Sequence, residues 1–143
     1  MIKVLIVDDL EAIRKKFTRI LSRHPDMEPC AAVNGYEAVL VAVREKPDVI
    51  LMDIEMEERD AGLKAAEAIL SRFPLTKIVI LTVYEEDEMV FAAFQLGVCD
   101  YMIKNAKPET IIQGVRDAYN GQSPIRPEIA GKIRSEVKRV KQN

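Results

Sequence analysis

Five side chains in this sequence have types and positions that could do chemistry together: Asp8, Asp9, Asp53, Thr82 and Lys104. Three carboxylates held in one crevice repel one another, so such a cluster calls for a cation. An all-oxygen donor set suits Mg²⁺, which keeps several waters and takes one or two carboxylates. A carboxylate next to a bound divalent ion can also act as a nucleophile toward a phosphoryl group and form an acyl phosphate. Asp53 is the candidate nucleophile, with Asp8, Asp9 and Asp53 as the acidic metal-site residues. Lys104 would pair with a phosphoryl oxygen as a point charge, and the Thr82 hydroxyl would donate to another.

Each residue alone has a plainer reading. Asp8 or Asp9 could cap a helix, and Asp53 a turn. Thr82 with Glu85 matches a T-x-x-E capping box. Lys104 could be a solvated loop lysine, and Tyr101 a packed edge-strand aromatic. What favours the joint reading is placement, because independent caps have no reason to converge with a lysine on one rim.

The elements that must position these residues are legible as alternation. Apolar runs at Ile2–Val7, Met27–Val33, Asp48–Met52, Lys77–Leu81 and Cys99–Ile103 alternate with helical spacing. The helical marks are Leu10, Ile13, Phe17, Ile20 and Leu21; Val39, Ala42 and Val43; Leu63, Ala66, Ile69 and Leu70; Val90, Ala93 and Phe94; and Ile111, Val115 and Ala118. This alternation predicts an α/β fold with a parallel sheet covered on both faces. The runs at Val4–Val7, Val49–Met52 and Ile78–Leu81 lack polar alternation, as central strands do. Pro29 in the second run and Asp100 in the fifth point to edges. The simplest order is then 2-1-3-4-5, which puts the switch point beyond the carboxyl ends of strands 1 and 3.

Composition narrows the classes. Of the 143 residues, 48% are hydrophobic and 31% charged, ordinary for a soluble domain with a real core. No apolar run is long enough to cross a bilayer, and the N-terminus has no basic, long apolar or cleavage-site pattern, so a cytoplasmic protein is expected. His24 is the single histidine, which leaves Ser-His and His-metal chemistries without parts; before Pro25 it reads as a helix-end cap. Cys30 and Cys99 lie far apart outside any metal-binding spacing and read as small buried thiols. Residues 122–143 hold six Lys/Arg and two Glu, whereas the whole chain is −2, so residues 1–121 carry −6. The body is not a nucleic-acid surface by itself. The expected division is a domain over 1–121 and, over 122–143, a link with prolines at 124 and 127 leading to a basic amphipathic helix marked by Ile129, Ile133, Val137 and Val140. That helix reads as a solvated linker.

The segments VLIVDD, DVILMDIEM, IVILT and DYMIK together resemble the receiver domains of bacterial two-component response regulators, over about residues 1–121. The resemblance implies a flavodoxin-like, CheY-like sandwich and a phosphorylation switch rather than an enzyme. It implies Asp53 as phosphoacceptor, Asp8 and Asp9 as metal-site acids, Thr82 and Tyr101 as switch residues, and Lys104 as the phosphoryl-pairing lysine. It also implies the backbone carbonyl of Glu55 as a further Mg²⁺ ligand and a sensor histidine kinase as donor. Exposed apolar groups on the helix 4–strand 5–helix 5 face would favour a homodimer there. Asn105 in place of proline after Lys104, and the Gly121-Gln122-Ser123-Pro124 turn, resemble the NarL/FixJ type, in which a helix-turn-helix DNA-binding domain follows. No such domain fits before Asn143, so DNA would be reached only through a domain outside this chain. The stretch from Met56 to Gly62 departs from the family's usual M-P-x-M-D-G loop: it lacks the proline, has one apparent extra residue, and should be more acidic and more mobile. Val83 stands where a smaller residue is usual and should narrow access to Asp53.

Other readings differ in kind. A Mg²⁺-dependent aspartyl phosphohydrolase would want a second acid two residues after the nucleophile; Glu55 is there, but I-E-M matches D-x-D poorly. A flavin-binding flavodoxin would need a phosphate loop after strand 1, where this chain has acids. A phosphate-independent receiver-like interaction module would keep the fold and lose the chemistry.

Overall fold

The structure, a computed structural model, describes residues 1–56, 58–83, 86–123 and 127–142. Strands and helices alternate: β1 (Ile2–Val7), α1 (Glu11–Ser22), β2 (Met27–Ala32), α2 (Gly35–Glu45), β3 (Val49–Met52), α3 (Ala61–Arg72), β4 (Lys77–Thr82), α4 (Asp87–Leu96), β5 (Asp100–Ile103) and α5 (Pro108–Tyr119). A last helix, α6, spans Pro127–Lys141. The five strands form one parallel sheet in the order β2-β1-β3-β4-β5, as the apolar runs and edge signals predict.

Strand side chains alternate between the two faces, and each face has its own core. Leu5, Val7, Ile50, Met52, Ile78 and Ile80 pack with buried residues of α2, α3 and α4. Val4, Ile6, Val49, Leu51, Val79 and Leu81 pack with Phe17, Leu21, Ile111 and Val115 of α1 and α5. All four β3 residues are buried, the pattern of a strand covered on both sides. Register aligns Val7 with Met52, Met52 with Ile80, and Thr82 with Ile103, so the four strand ends finish nearly level.

Local chemistry closes the helices. Asn34 accepts the Glu37 amide at 2.8 Å and caps α2. Gly97 ends α4 at φ 104, in the left-handed region where a Cβ would be strained. Lys46 ends α2 at φ 48 without being glycine.

Several expectations need correcting. His24 does not cap α1; Arg23 holds that position, and His24 Nδ1 lies 3.2 Å from the Arg116 guanidinium, which also pairs with Asp26. The contact ties α5 to the turn between α1 and β2. Cys30 and Cys99 are half-buried rather than enclosed, and burial pushes both thiols up, toward the unreactive protonated form. Among the described residues, no helix is long and apolar enough to cross a membrane.

The larger correction concerns α6, which is not simply solvated. It packs against α4, with Ile129 3% exposed in the core and Ile133 half-buried beside it. Residues 124–126 of the expected link, and Asn143, lie outside the described residues. The apolar α4 part of the expected dimer face is therefore covered by the chain's own last helix.

Candidate phosphoacceptor site

The site grows from strand ends. Asp8 and Asp9 follow β1, Asp53 follows β3, Thr82 is the last residue of β4, and Lys104 follows β5. The Asp53 amide donates to the Val7 carbonyl at 3.0 Å, and the Lys104 amide to the Thr82 carbonyl at 3.0 Å. Sheet bonding thus runs on into the loops and fixes where these side chains start.

Asp8, Asp9 and Asp53 each place a carboxylate oxygen within 4.8 Å of the others. Asp8 and Asp53 are buried and Asp9 is exposed, so the cluster opens to solvent on one side. Lys104 Nζ sits between the two buried acids, 2.5 Å from Asp8 Oδ2 and 3.1 Å from Asp53 Oδ2. One ammonium against three carboxylates leaves two negative charges uncompensated, which matches a divalent cation held by oxygen donors. Asp8 also accepts the Leu10 amide at 2.9 Å, and Asp53 the Ile54 amide at 2.9 Å. Neither Asp8 nor Asp9 caps α1, whose cap position is Leu10.

Burial pushes the Asp53 carboxyl above the ordinary carboxylate range; the Lys104 charge and hydrogen bond and the Thr82 hydroxyl hold it down, and the Asp8 charge adds to the rise. For Lys104, burial opposes the charged form but is outweighed by Asp8 and Asp53, so its value lies above that of an ordinary lysine. Each of the two groups thus favours the charged form of the other.

Thr82 is fully buried and takes no part in capping, since α4 starts at Asp87 after Glu86; Glu85 is outside the described residues. Tyr101 is 1% exposed, its ring already inside the α4-side core. Glu55, two residues past Asp53, is half-buried. Val83 is 62% exposed, so it lies largely in solvent. In the 56–62 loop, where Glu57 is outside the described residues, acids pair with cations: Glu58 with Lys64 at 2.6 Å, and Arg59 with Glu86 at 2.6 Å across to the start of α4.

Two residues escaped the sequence analysis. A Cβ on Gly62 would come within 1.9 Å of the Asp53 carbonyl oxygen, and the Gly62 amide donates to Ile54 at 2.7 Å. Only glycine lets α3 begin this close to the acceptor loop. Arg14 Nη1 donates to the Asp8 carbonyl at 2.9 Å and pins the acidic turn from α1. Gly62 had a signal, as a glycine entering a helix beside a chemical residue; Arg14 had none beyond its helix.

The profile of the response regulator receiver domain matches residues 4–116, the stretch that supplies every group in this site. The chain belongs to the response regulator receiver family. Among relatives, the uncharacterised transcriptional regulatory protein YxjL of Bacillus subtilis is 39% identical over 142 residues, covering 99% of this chain and 65% of that protein. The oxygen regulatory protein NreC of Staphylococcus carnosus is 37% identical over 135 residues, covering 94% and 62%. The receiver chain thus spans less than two thirds of these relatives' length. A LuxR-family response regulator from Aurantimonas sp. superposes with TM-score 0.84 at 25% identity, covering 94% of this chain and 96% of that one. The receiver domain of the putative response regulator NarL from Mycobacterium tuberculosis gives 0.76 at 25%, covering 84% and 97%. Membership of this family favours a signalling receiver over the phosphohydrolase and flavin-binding readings.

Proposed function

We propose that Asp53 accepts a phosphoryl group from a phosphohistidine of a sensor kinase, and that this modification switches what the receiver binds. One observation carries the reading: the Lys104 ammonium stands between two buried carboxylates, one of which closes the β3 strand, in a cluster two charges short of balance. An Asp53 carboxylate oxygen attacks phosphorus, the P–N bond breaks, and the imidazole leaves and takes up a proton. Lys104 shifts its ammonium to a phosphoryl oxygen, and Thr82 turns its hydroxyl to another. Asp8, Asp9, Asp53 and the Glu55 carbonyl would hold Mg²⁺, which neutralises charge on the transferring group. Tyr101, already buried in the α4-side core, would hold its place there as the second switch residue rather than swing in from solvent.

The receiver would form the domain over 1–121, work in the cytoplasm, and control transcription through a DNA-binding domain outside these 143 residues. Its relatives' regulatory names support that reading.

The test is incubation with Mg²⁺ and a small-molecule phosphodonor, followed by intact-mass measurement. The wild type gains one phosphoryl group that is labile to hydroxylamine, and Asp53→Ala gains none. A variant labelled as fully as the wild type would reject Asp53. Incorporation by neither protein would favour the phosphate-independent module.

A further inference from the structure

A cavity of about 680 Å³ opens at the amino ends of β3 and β4, on the opposite rim of the sheet from Asp53. Small-molecule sites commonly measure a few hundred to about 1,000 Å³. The cavity is walled by the turn from α2 into β3, the turn from α3 into β4, and the last residue of α5. Ligands of parallel sheets ordinarily gather at the carboxyl ends of the strands, so the acceptor chemistry does not account for this hollow.

Its walls are of two kinds. Pro47, Phe73, Pro74, Leu75 and Tyr119 supply apolar surface, with two aromatic rings among them. Leu75 is 84% exposed and Tyr119 45%, so part of that surface stands in water at the mouth. The charged lining is Lys46, Arg72, Lys77 and Asp48. Asp48 is already engaged, accepting the Lys3 amide at 2.9 Å. None of the three cations pairs with a carboxylate among the described residues. A hollow with surplus positive charge therefore sits in a body, residues 1–121, that carries −6. Lys46 also holds φ 48, a left-handed conformation that glycine adopts more readily. That position keeps a charge at the mouth where glycine would sit with less strain.

We propose that this cavity binds a small aromatic anion, such as an aromatic carboxylate, with its ring against Phe73 and Tyr119 and its acid group among Lys46, Arg72 and Lys77. Apart from Thr76 and the Tyr119 hydroxyl, the uncharged lining among the described residues has no hydrogen-bonding side chain, so a polar sugar would gain little there. Ring and negative charge are both required: the ring takes apolar surface out of water, and the charge meets cations that have no other partner.

Fluorescence titration of the full chain with anilinonaphthalene sulfonate tests this, with uncharged phenylnaphthylamine as the matched control. The sulfonate should bind saturably at one site, and the uncharged analogue ~10-fold or more weakly. Arg72→Glu and Leu75→Asp, both at exposed positions, should each weaken the sulfonate ~10-fold without lowering the melting temperature by more than about two degrees. Lys46→Gly should weaken it several-fold while the melting temperature holds or rises, a combination that a purely structural lysine would not give. Lys138→Glu, in a groove on α6 that also joins lysines to apolar side chains, should change nothing. Equal binding of the two dyes, or sulfonate binding lost in Lys138→Glu and kept in Arg72→Glu and Leu75→Asp, overturns the proposal. So does no saturable binding. Binding of an oligoglutamate peptide in place of the dye would give the face to a protein partner, and a dimer dissociated by Leu75→Asp would give it to a second copy; either result overturns the proposal as well.

Discussion

Asp53 carries its negative charge against the pull of burial, and that leaves a thermodynamic trace. Its folded value lies above the unfolded one, so the native state binds more protons in the interval between them. Stability then falls as pH rises through that interval, and the penalty is complete above it. Asp53→Asn removes the penalty and keeps the shape. Its melting temperature at neutral pH should exceed wild type by a few degrees, on the order of 1 kcal/mol, and the gain should vanish below the unfolded carboxylate value of about 3.9. An equal or lower neutral-pH melting temperature would contradict the desolvation argument. Lys104 behaves oppositely: its raised value means its stabilisation is full below the ordinary lysine range and is lost as pH rises through the folded value. Lys104→Met leaves two buried carboxylates without their counter-charge and should lower the unfolding free energy by roughly 3 kcal/mol in metal-free buffer, read by urea titration. At this scale Asp53, Thr82 and Lys104 were legible because each ends or follows an apolar run. Arg14 was not: its partner is a backbone carbonyl, and backbone carbonyls carry no residue-type signal.

Among the elements, the strands were readable to within a residue or so because Val4–Val7, Val49–Met52 and Ile78–Leu81 are buried on both faces and run apolar without a break up to the rim. The start of α3 was less readable, since it depends on contact with a distant segment rather than on its own composition. Gly62→Ala drives a Cβ into the Asp53 carbonyl at 1.9 Å, backbone against backbone, so neither side can yield by a rotamer change. The expected loss is about 3 kcal/mol in urea unfolding, with phosphoryl uptake at Asp53 slowed as well. Retention of both stability and uptake would show that α3 can move freely relative to the acceptor loop. The seat of α6 was hidden because its Lys and Arg residues suggest a solvated surface, and because its apolar stripe reads as Ile129, Ile133, Val137 and Val140. In the structure Val140 is 50% exposed while Glu136 is buried, so the helix is turned about its axis from the composition-based expectation.

For the molecule as a whole, the acidic body and its surplus of two negative charges at the rim predict stabilisation by divalent cation. A ligand that binds only the folded state at a hundred times its dissociation constant adds about 2.7 kcal/mol. Magnesium titration should therefore raise the melting temperature of the wild type by several degrees, and Asp9→Ala, which removes the exposed member of the trio, should lose most of that rise. An equal response from the variant would place the ion elsewhere.

The strand order also bears on synthesis. β1, β2 and β3 leave the ribosome first and would bring Asp8, Asp9 and Asp53 together while Lys104, two strands later, is still untranslated. A nascent sheet that closed early would gather three acids with no amine among them, and mutual repulsion would hold it open. Completion of the last strand supplies the missing positive charge, so the growing polypeptide has an electrical reason to wait for its own far end.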